Sequence, residues 1–257
     1  MNVPIYCPKP NQDLNQKLID ECHAIEWLSF SDAPPTQTFL IIEQGRLGLA
    51  DVSWPRVLPV FVDFESNEAQ HRRLHGGGVG QAVAKAVGLN KKKELTIWDA
   101  TAGLGRDSFV MASLGANVTL FERNPVVYLL LKNGLDHLLQ TVDASLLAVA
   151  NRMTLVFGSI NKPLSAEIPT PDVVYLDPMF PERQKSAKVK KEMTLFHDIV
   201  GADNDADDLL LPAMELARFR VTVKRPKHAP NLLERKPTMA LIGKSSRFDV
   251  YSKKAIT

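Results

Sequence analysis

Trp98-Asp99-Ala100-Thr101-Ala102-Gly103-Leu104-Gly105-Arg106-Asp107 is the stretch that decides the fold. Leu95 to Trp98 is a short apolar run suited to a buried strand, the two glycines mark a turn, and residues 106–114 carry a helical pattern. Strand, glycine turn and helix in that order form the first unit of an open α/β sheet, which binds its ligand beyond the carboxyl ends of its strands. Gly103 and Gly105 would let the backbone approach such a ligand without a Cβ in the way. Arg106 and Asp107 then open a helix whose first N–H groups face it.

Downstream the alternation continues. Asn117 to Phe121, Met153 to Phe157, Val173 to Leu176 and Arg220 to Val223 are short strand candidates, separated by helical patterns over 106–114, 125–140, 143–151 and 206–217. This predicts a mostly parallel sheet covered on both faces. Met239 to Ile242 and Phe248 to Tyr251 are separated by a gap around Gly243, too short for a helical crossover, so these two strands are expected to be antiparallel. No internal repeat interrupts the pattern.

Residues 1–65 read as a small N-terminal α+β unit, and residues 66–257 as the main domain. A helix is predicted over 14–28, a hairpin from Thr38 to Glu43 and Arg46 to Asp51 around Gln44-Gly45, and another strand from Val57 to Phe64. Asn67 to Gly80 ends in the glycine run Gly76-Gly77-Gly78 and carries His71, Arg72, Arg73 and His75. Two readings stand side by side: a glycine turn with nearby donors for an anion, or a loose interdomain linker.

The chain has 257 residues, 45% hydrophobic and 23% charged, ordinary values for a soluble globular protein. Its formal charge of +2 says little about nucleic acid, so the distribution of charge carries the argument. Cys7 and Cys22 are the only cysteines and form no CxxC pair, which speaks against a disulfide framework or cysteine metal site. Without a signal-peptide pattern or a membrane-length apolar run, a cytoplasmic protein is expected.

Glu122 ends the strand after the glycine turn, where a carboxylate can accept hydrogen bonds from both hydroxyls of a ribose. Gly158-Ser159, past the next strand, would lie at an adenine edge. Nicotinamide enzymes favour GxGxxG, but Gly105 is followed by Arg106, Asp107 and Ser108, so the third glycine is missing. With Asp99 before the turn, the pattern better suits a methyltransferase using S-adenosylmethionine.

Asp177-Pro178-Met179-Phe180-Pro181 closes the run Val173 to Leu176 and supplies the chemistry. An exocyclic amine on a nucleobase is a weak nucleophile because its lone pair is delocalised. The Asp177 carboxylate and a backbone carbonyl of the Asp177-Pro178 turn could hold the amine while Phe180 stacks on the base. A plain strand terminus is the bland alternative.

Arg183, Lys185, Lys188, Lys190 and Lys191 follow directly, and Arg218, Arg220, Lys224, Arg225, Lys227 and His228 form a second basic cluster. Two clusters at one sheet edge favour a polyanion, against the alternative of a solvated helix face. His71, Arg72 and Arg73 are candidates for the same polyanion contact. Asp203, Asp205, Asp207 and Asp208 read as a solvated, acidic helix start rather than a metal site. No HExxH, His/Cys cluster or GxSxG elbow is present, so no metal is expected.

Asp99-Ala-Thr-Ala-Gly-Leu-Gly-Arg-Asp107, Glu122-Arg-Asn-Pro-Val-Val127, Val174-Tyr-Leu-Asp-Pro-Met-Phe-Pro181, Lys190-Lys-Glu-Met193 and Val223-Lys-Arg-Pro226 together resemble the bacterial 16S ribosomal RNA guanine-N2 methyltransferases, the RsmJ family. The likeness runs from about Val62 to Asp249 and is vaguest in the N-terminal unit. It implies a Rossmann-like class I methyltransferase fold, S-adenosylmethionine as donor, and N2 methylation of one guanosine near the 3′ end of 16S rRNA. It also implies that Arg106-Asp107, Glu122-Arg123, Gly158-Ser159 and Asp177 contact the cofactor, so that Asp177 serves cofactor and base together. The rivals are an adenine-N6 methyltransferase on DNA, a nicotinamide oxidoreductase, and a non-catalytic RNA-binding factor on this scaffold.

Overall fold

The computed structural model describes residues 3–52, 58–162, 165–179 and 206–256. The N-terminal unit is a five-stranded sheet in the order β2-β1-β3-β4-β5. It comprises β1 (Val3–Tyr6), β2 (Leu28–Ser31), β3 (Thr38–Glu43), β4 (Arg46–Asp51) and β5 (Val60–Phe61), with helix α1 (Asp13–His23) between the first two strands. The hairpin closes as predicted, with Glu43 opposite Arg46. Gln44 and Gly45 take positive φ values of 52° and 73°, the two-residue turn that matches strand twist.

One expectation fails here. Helix α1 stops at His23, and Leu28 opens a strand instead of ending a helix. Val3–Tyr6 is a strand that the sequence reading did not include; it lies between β2 and β3 and pairs in parallel with both, although Pro4 lacks a ladder donor.

The linker reading of residues 67–75 also fails. They form helix α2 (Asn67–His75), whose Ser66 side chain caps the amide of Ala69, and a short 3-10 turn leads into α3 (Ala82–Val87). A capped helix has fixed dihedrals where a glycine-serine linker would have none.

The main sheet has seven strands in the order β11-β12-β10-β9-β6-β7-β8. They are β6 (Thr96–Asp99), β7 (Asn117–Glu122), β8 (Met153–Phe157), β9 (Val173–Leu176), β10 (Arg220–Pro226), β11 (Met239–Ile242) and β12 (Ser246–Ser252). Strands β8, β7, β6, β9 and β10 run parallel, while β12 is antiparallel to both β10 and β11. Strand order reverses between β6 and β9, and a ligand crevice opens at such a reversal.

Two apolar layers enclose the sheet. Trp98, Phe121, Val174, Leu176, Val221 and Val223 face α7 (Leu210–Leu216) on one side. The opposite layer contains residues of α4 (Arg106–Ser113), α5 (Pro125–Leu138) and α6 (Ala144–Ala150). It runs without a break into Ile5, Leu40, Val62 and Phe64 of the N-terminal unit. The change near residue 65 is therefore a change of sheet, while the core continues across it.

Gly134 of α5 marks this junction, since a Cβ there would come within 2.5 Å of Val62 Cγ1 and 2.8 Å of the Val62 carbonyl oxygen. Backbone cannot swing aside as a side-chain tip can. Gly134→Val gains a few tenths of a kcal/mol in helix propensity but overpacks the junction by about 1–3 kcal/mol. A net loss of stability is expected in urea unfolding, and an unchanged midpoint would show that the two sheets separate freely.

Candidate active site

Five parallel strands end along one edge, and each delivers a polar group or a glycine there. Asp99 ends β6, Glu122 ends β7, Gly158 follows β8, Asp177 follows β9, and Lys224 lies near the end of β10.

Asp99 is 2% exposed and holds the glycine turn from inside. It accepts from Ser108 Oγ at 2.6 Å and from the Thr101 amide at 3.3 Å. Burial pushes its carboxyl up to about 7 against these hydrogen bonds, with Asp107 adding to the rise. Asp99 thus shapes the turn, with both oxygens engaged inside the fold.

Gly103 and Gly105 both have positive φ, 53° and 69°, but their surroundings differ. A Cβ on Gly103 would meet nothing within 4 Å, so this glycine borders the open crevice. A Cβ on Gly105 would lie 2.9 Å from Leu131 Cδ1 and 3.2 Å from Phe64 Cζ. Gly105 therefore serves close packing of α4, a correction to the expectation that both glycines face the ligand.

Glu122, 8% exposed, accepts from the Gly103 amide at 3.0 Å and the Asn124 amide at 2.7 Å. A carboxylate at this strand end is of the type that accepts from ribose hydroxyls. Gly158 donates its amide to the Glu122 carbonyl at 2.9 Å, and a Cβ on Gly158 would also meet open space. Ser159 beside it is buried. Open space at Gly103 and Gly158 flanking an acceptor carboxylate suits an adenosine group.

A chain of alternating charge crosses from this crevice to Asp177. Arg72 of α2 pairs with Asp107 Oδ1 and also reaches the Arg106 carbonyl at 3.4 Å. Asp107 Oδ2 accepts from the Tyr175 hydroxyl at 2.6 Å and from Lys224 Nζ at 3.1 Å. Lys224 Nζ also donates to Asp177 Oδ2 at 2.7 Å. The Asp177 amide is fixed by Thr101 Oγ1 at 2.6 Å.

Burial alone would raise the Asp107 carboxyl, but Lys224, Arg72 and the Tyr175 hydroxyl hold it below the ordinary range. Asp177 goes the other way: burial and the charge of Asp107 raise it, although Lys224 opposes them. A side chain that is 36% exposed still gives Asp177 access to the crevice.

This arrangement can hold an adenosine-bearing cofactor at Gly103 and Glu122 and present an anionic acceptor beside it. The family model for SAM-dependent methyltransferases matches residues 24–253. A ribosomal RNA small subunit methyltransferase J of Vibrio parahaemolyticus is 46% identical over 261 residues, covering 98% of both chains. Its namesake from Saccharophagus degradans is 51% identical over 226 residues, covering 84% of each. This chain belongs to that methyltransferase family. A crystal structure of a SAM-dependent methyltransferase from Neisseria gonorrhoeae superposes with a TM-score of 0.74 at 36% identity, covering 99% of this chain and 98% of that one.

The family's fold is the class I methyltransferase sheet that the resemblance implied, an open α/β sheet of the kind the glycine turn predicted, with S-adenosylmethionine as cofactor. The expected RNA contacts divide. His71 is exposed, and Arg73 is half-buried, reaching Gln70 Oε1 at 2.8 Å and Ser145 Oγ at 3.4 Å. Arg72 and Lys224 turn into the crevice.

Arg225 corrects the expectation most clearly: it is 4% exposed and donates to the Pro230 carbonyl. Strand β10 continues through Pro226, past the predicted end at Val223, so successive side chains alternate faces and Lys224 and Arg225 cannot share one. Phe180, Arg183, Lys185, Lys188, Lys190 and Lys191 lie outside the described residues, while Pro178 is buried directly after Asp177.

Sequence reasoning missed Tyr175, Thr101 and Ser108. Tyr175 stands two residues before Asp177, on the same face by strand periodicity, and that spacing was the available signal. Among the described residues no group of three or more His, Cys, Asp or Glu side chains could hold a metal ion, and no helix is long and apolar enough to cross a membrane.

Proposed function

We propose that this protein methylates the exocyclic N2 amine of a guanosine in 16S rRNA of the small ribosomal subunit. The carrying observation is the placement of Asp177: it follows β9 at the same edge as Gly103 and Glu122, with its amide fixed by Thr101 and its carboxylate open to the crevice. The curated relatives bear the name of a small-subunit rRNA methyltransferase, which agrees with an RNA amine as acceptor. A cytoplasmic location follows from that substrate.

When bound, S-adenosylmethionine supplies an electrophilic methyl group on sulfonium, so the chain needs neither a metal nor a covalent intermediate. Glu122 holds the ribose hydroxyls, and Gly103 admits the cofactor against the backbone. Asp177 accepts a hydrogen bond from the amine and aims the nitrogen, which concentrates its effect on orientation. The amine's proton leaves toward Asp177 as the N–C bond forms. His71 and Arg73 lie on α2, which packs beside α4, and would meet RNA phosphates near the crevice.

Labelled methyl transfer to small subunits and rRNA from cells lacking this protein, followed by nucleoside mass spectrometry, tests the proposal. N2-methylguanosine is the expected product. Label on adenine N6, or no transfer despite cofactor binding, would overturn it.

A further inference from the structure

Lys224 was expected to join a basic surface cluster, but the sheet register gives it another neighbourhood. Val223 pairs with Leu176 in the parallel β10–β9 ladder, so the next step along both strands brings Lys224 beside Asp177. Its Nζ lies 2.7 Å from Asp177 Oδ2 and 3.1 Å from Asp107 Oδ2, and 31% of the side chain is exposed. Among the described residues no second cation forms an ion pair with Asp177.

Asp107 is a firm anchor for this bridge. Arg72 takes one of its oxygens, and Tyr175 and Lys224 share the other. Lys224 is thus strung between a carboxylate fixed from three sides and a carboxylate with access to the crevice. With Oδ2 of Asp177 engaged by Lys224 and, among the described residues, no hydrogen bond shown to Oδ1, Oδ1 is the oxygen to meet an incoming amine.

Resting on the reading of Asp177 as amine acceptor, we propose that Lys224 is a positioning residue, which fixes the plane of the Asp177 carboxylate and keeps it ionised for the reaction. The amine nitrogen gives its lone pair to the new N–C bond, while the electron pair of the breaking C–S bond stays with sulfur. The proton released from nitrogen passes to Asp177 and then to water.

An acceptor that is already protonated can neither take that proton nor offer both lone pairs of Oδ1. Asp177 faces Lys224 from β10, Asp107 from α4, Arg72 from α2, Asp99 from β6 and Tyr175 from β9. Burial and the Asp107 charge favour its protonation, whereas Lys224 and then Arg72 favour the ionised form. Removing Lys224 leaves the first influence weakly opposed, since Arg72 is engaged with Asp107. A single opposite charge at this range shifts a carboxylate by about 1–3 pH units.

The test is the pH profile of kcat on undermethylated small subunits at saturating S-adenosylmethionine, with cofactor affinity measured by calorimetry. Lys224→Met is expected to move the acid limb up by about one unit or more, so that raising the pH recovers activity. Lys224→Arg retains the charge and is expected to keep the limb in place, whatever its rate. Lys224→Gln gives the same readout as Lys224→Met should that variant fold poorly.

An acid limb that stays put in both neutral variants would overturn the proposal, leaving Lys224 a merely structural cation. Asp177→Ala serves as the control. Full activity there would overturn the reading of Asp177 itself, and the proposal with it; an inactive Asp177→Ala with an unmoved limb would overturn the role of Lys224 alone.

Discussion

Asp177→Ala is expected to lower methyl transfer by at least about 10²-fold, and as much as about 10⁴-fold, the range typical of a lost acid–base group. Each tenfold corresponds to about 1.4 kcal/mol of barrier, so this one side chain accounts for roughly 3 to 5 kcal/mol. The fold should survive, because Thr101 holds the Asp177 backbone amide rather than its side chain. Lys224 keeps Asp107 as a partner and is not left buried without an anion. Asp177→Asn retains one acceptor oxygen but loses the charge, and should fall between Asp177→Ala and the native chain. Single-turnover transfer with each variant, alongside thermal unfolding, checks this. Activity within about threefold of native in the folded Ala variant would remove Asp177 from the chemistry.

The acid limb of the native enzyme follows from the same carboxylate. Because burial and Asp107 raise Asp177, activity dependent on its ionised form is lost on acidification at a pH above the ordinary carboxylate value. A limb at the value of a free carboxylate would mean that the active conformation exposes Asp177 more fully.

What the sequence disclosed and what it withheld divide along a physical line. Apolar runs bounded by glycine and proline located the strands of the main sheet, and the short gap at Gly243 correctly implied antiparallel β11 and β12. Strand β1 went unread: its four residues pair with β2 and β3, contacts that only the tertiary fold sets. In the site, residues at strand ends were legible because their position follows from order along one chain. Contacts between strands were not. Tyr175 meeting Asp107 and Lys224 meeting Asp177 depend on register and on which neighbours the crossovers select. A basic residue therefore looked like a surface contact until the register placed it between two carboxylates.

Glu122 gives the second large effect, and it falls on binding rather than on the chemical step. Its carboxylate secures the Gly103 and Asn124 amides, and on the reading proposed above it also accepts from the ribose. Hydrogen bonds to a charged acceptor contribute about 1.5–3 kcal/mol, so removing them should weaken S-adenosylmethionine binding by roughly 10- to 100-fold. Glu122→Ala also frees two backbone donors near the turn and is expected to lower stability. Glu122→Gln separates the tasks: its carbonyl oxygen can still accept from one amide, but its NH2 group cannot replace the second acceptor. Calorimetric Kd values should rise for both variants, with more loss of thermal stability in Ala than in Gln. Because the ribose lies away from the transferring methyl group, kcat at saturating cofactor should change less than Kd. Normal affinity in a folded Glu122→Gln would assign this carboxylate wholly to bracing the turn, and the ribose would then need another acceptor.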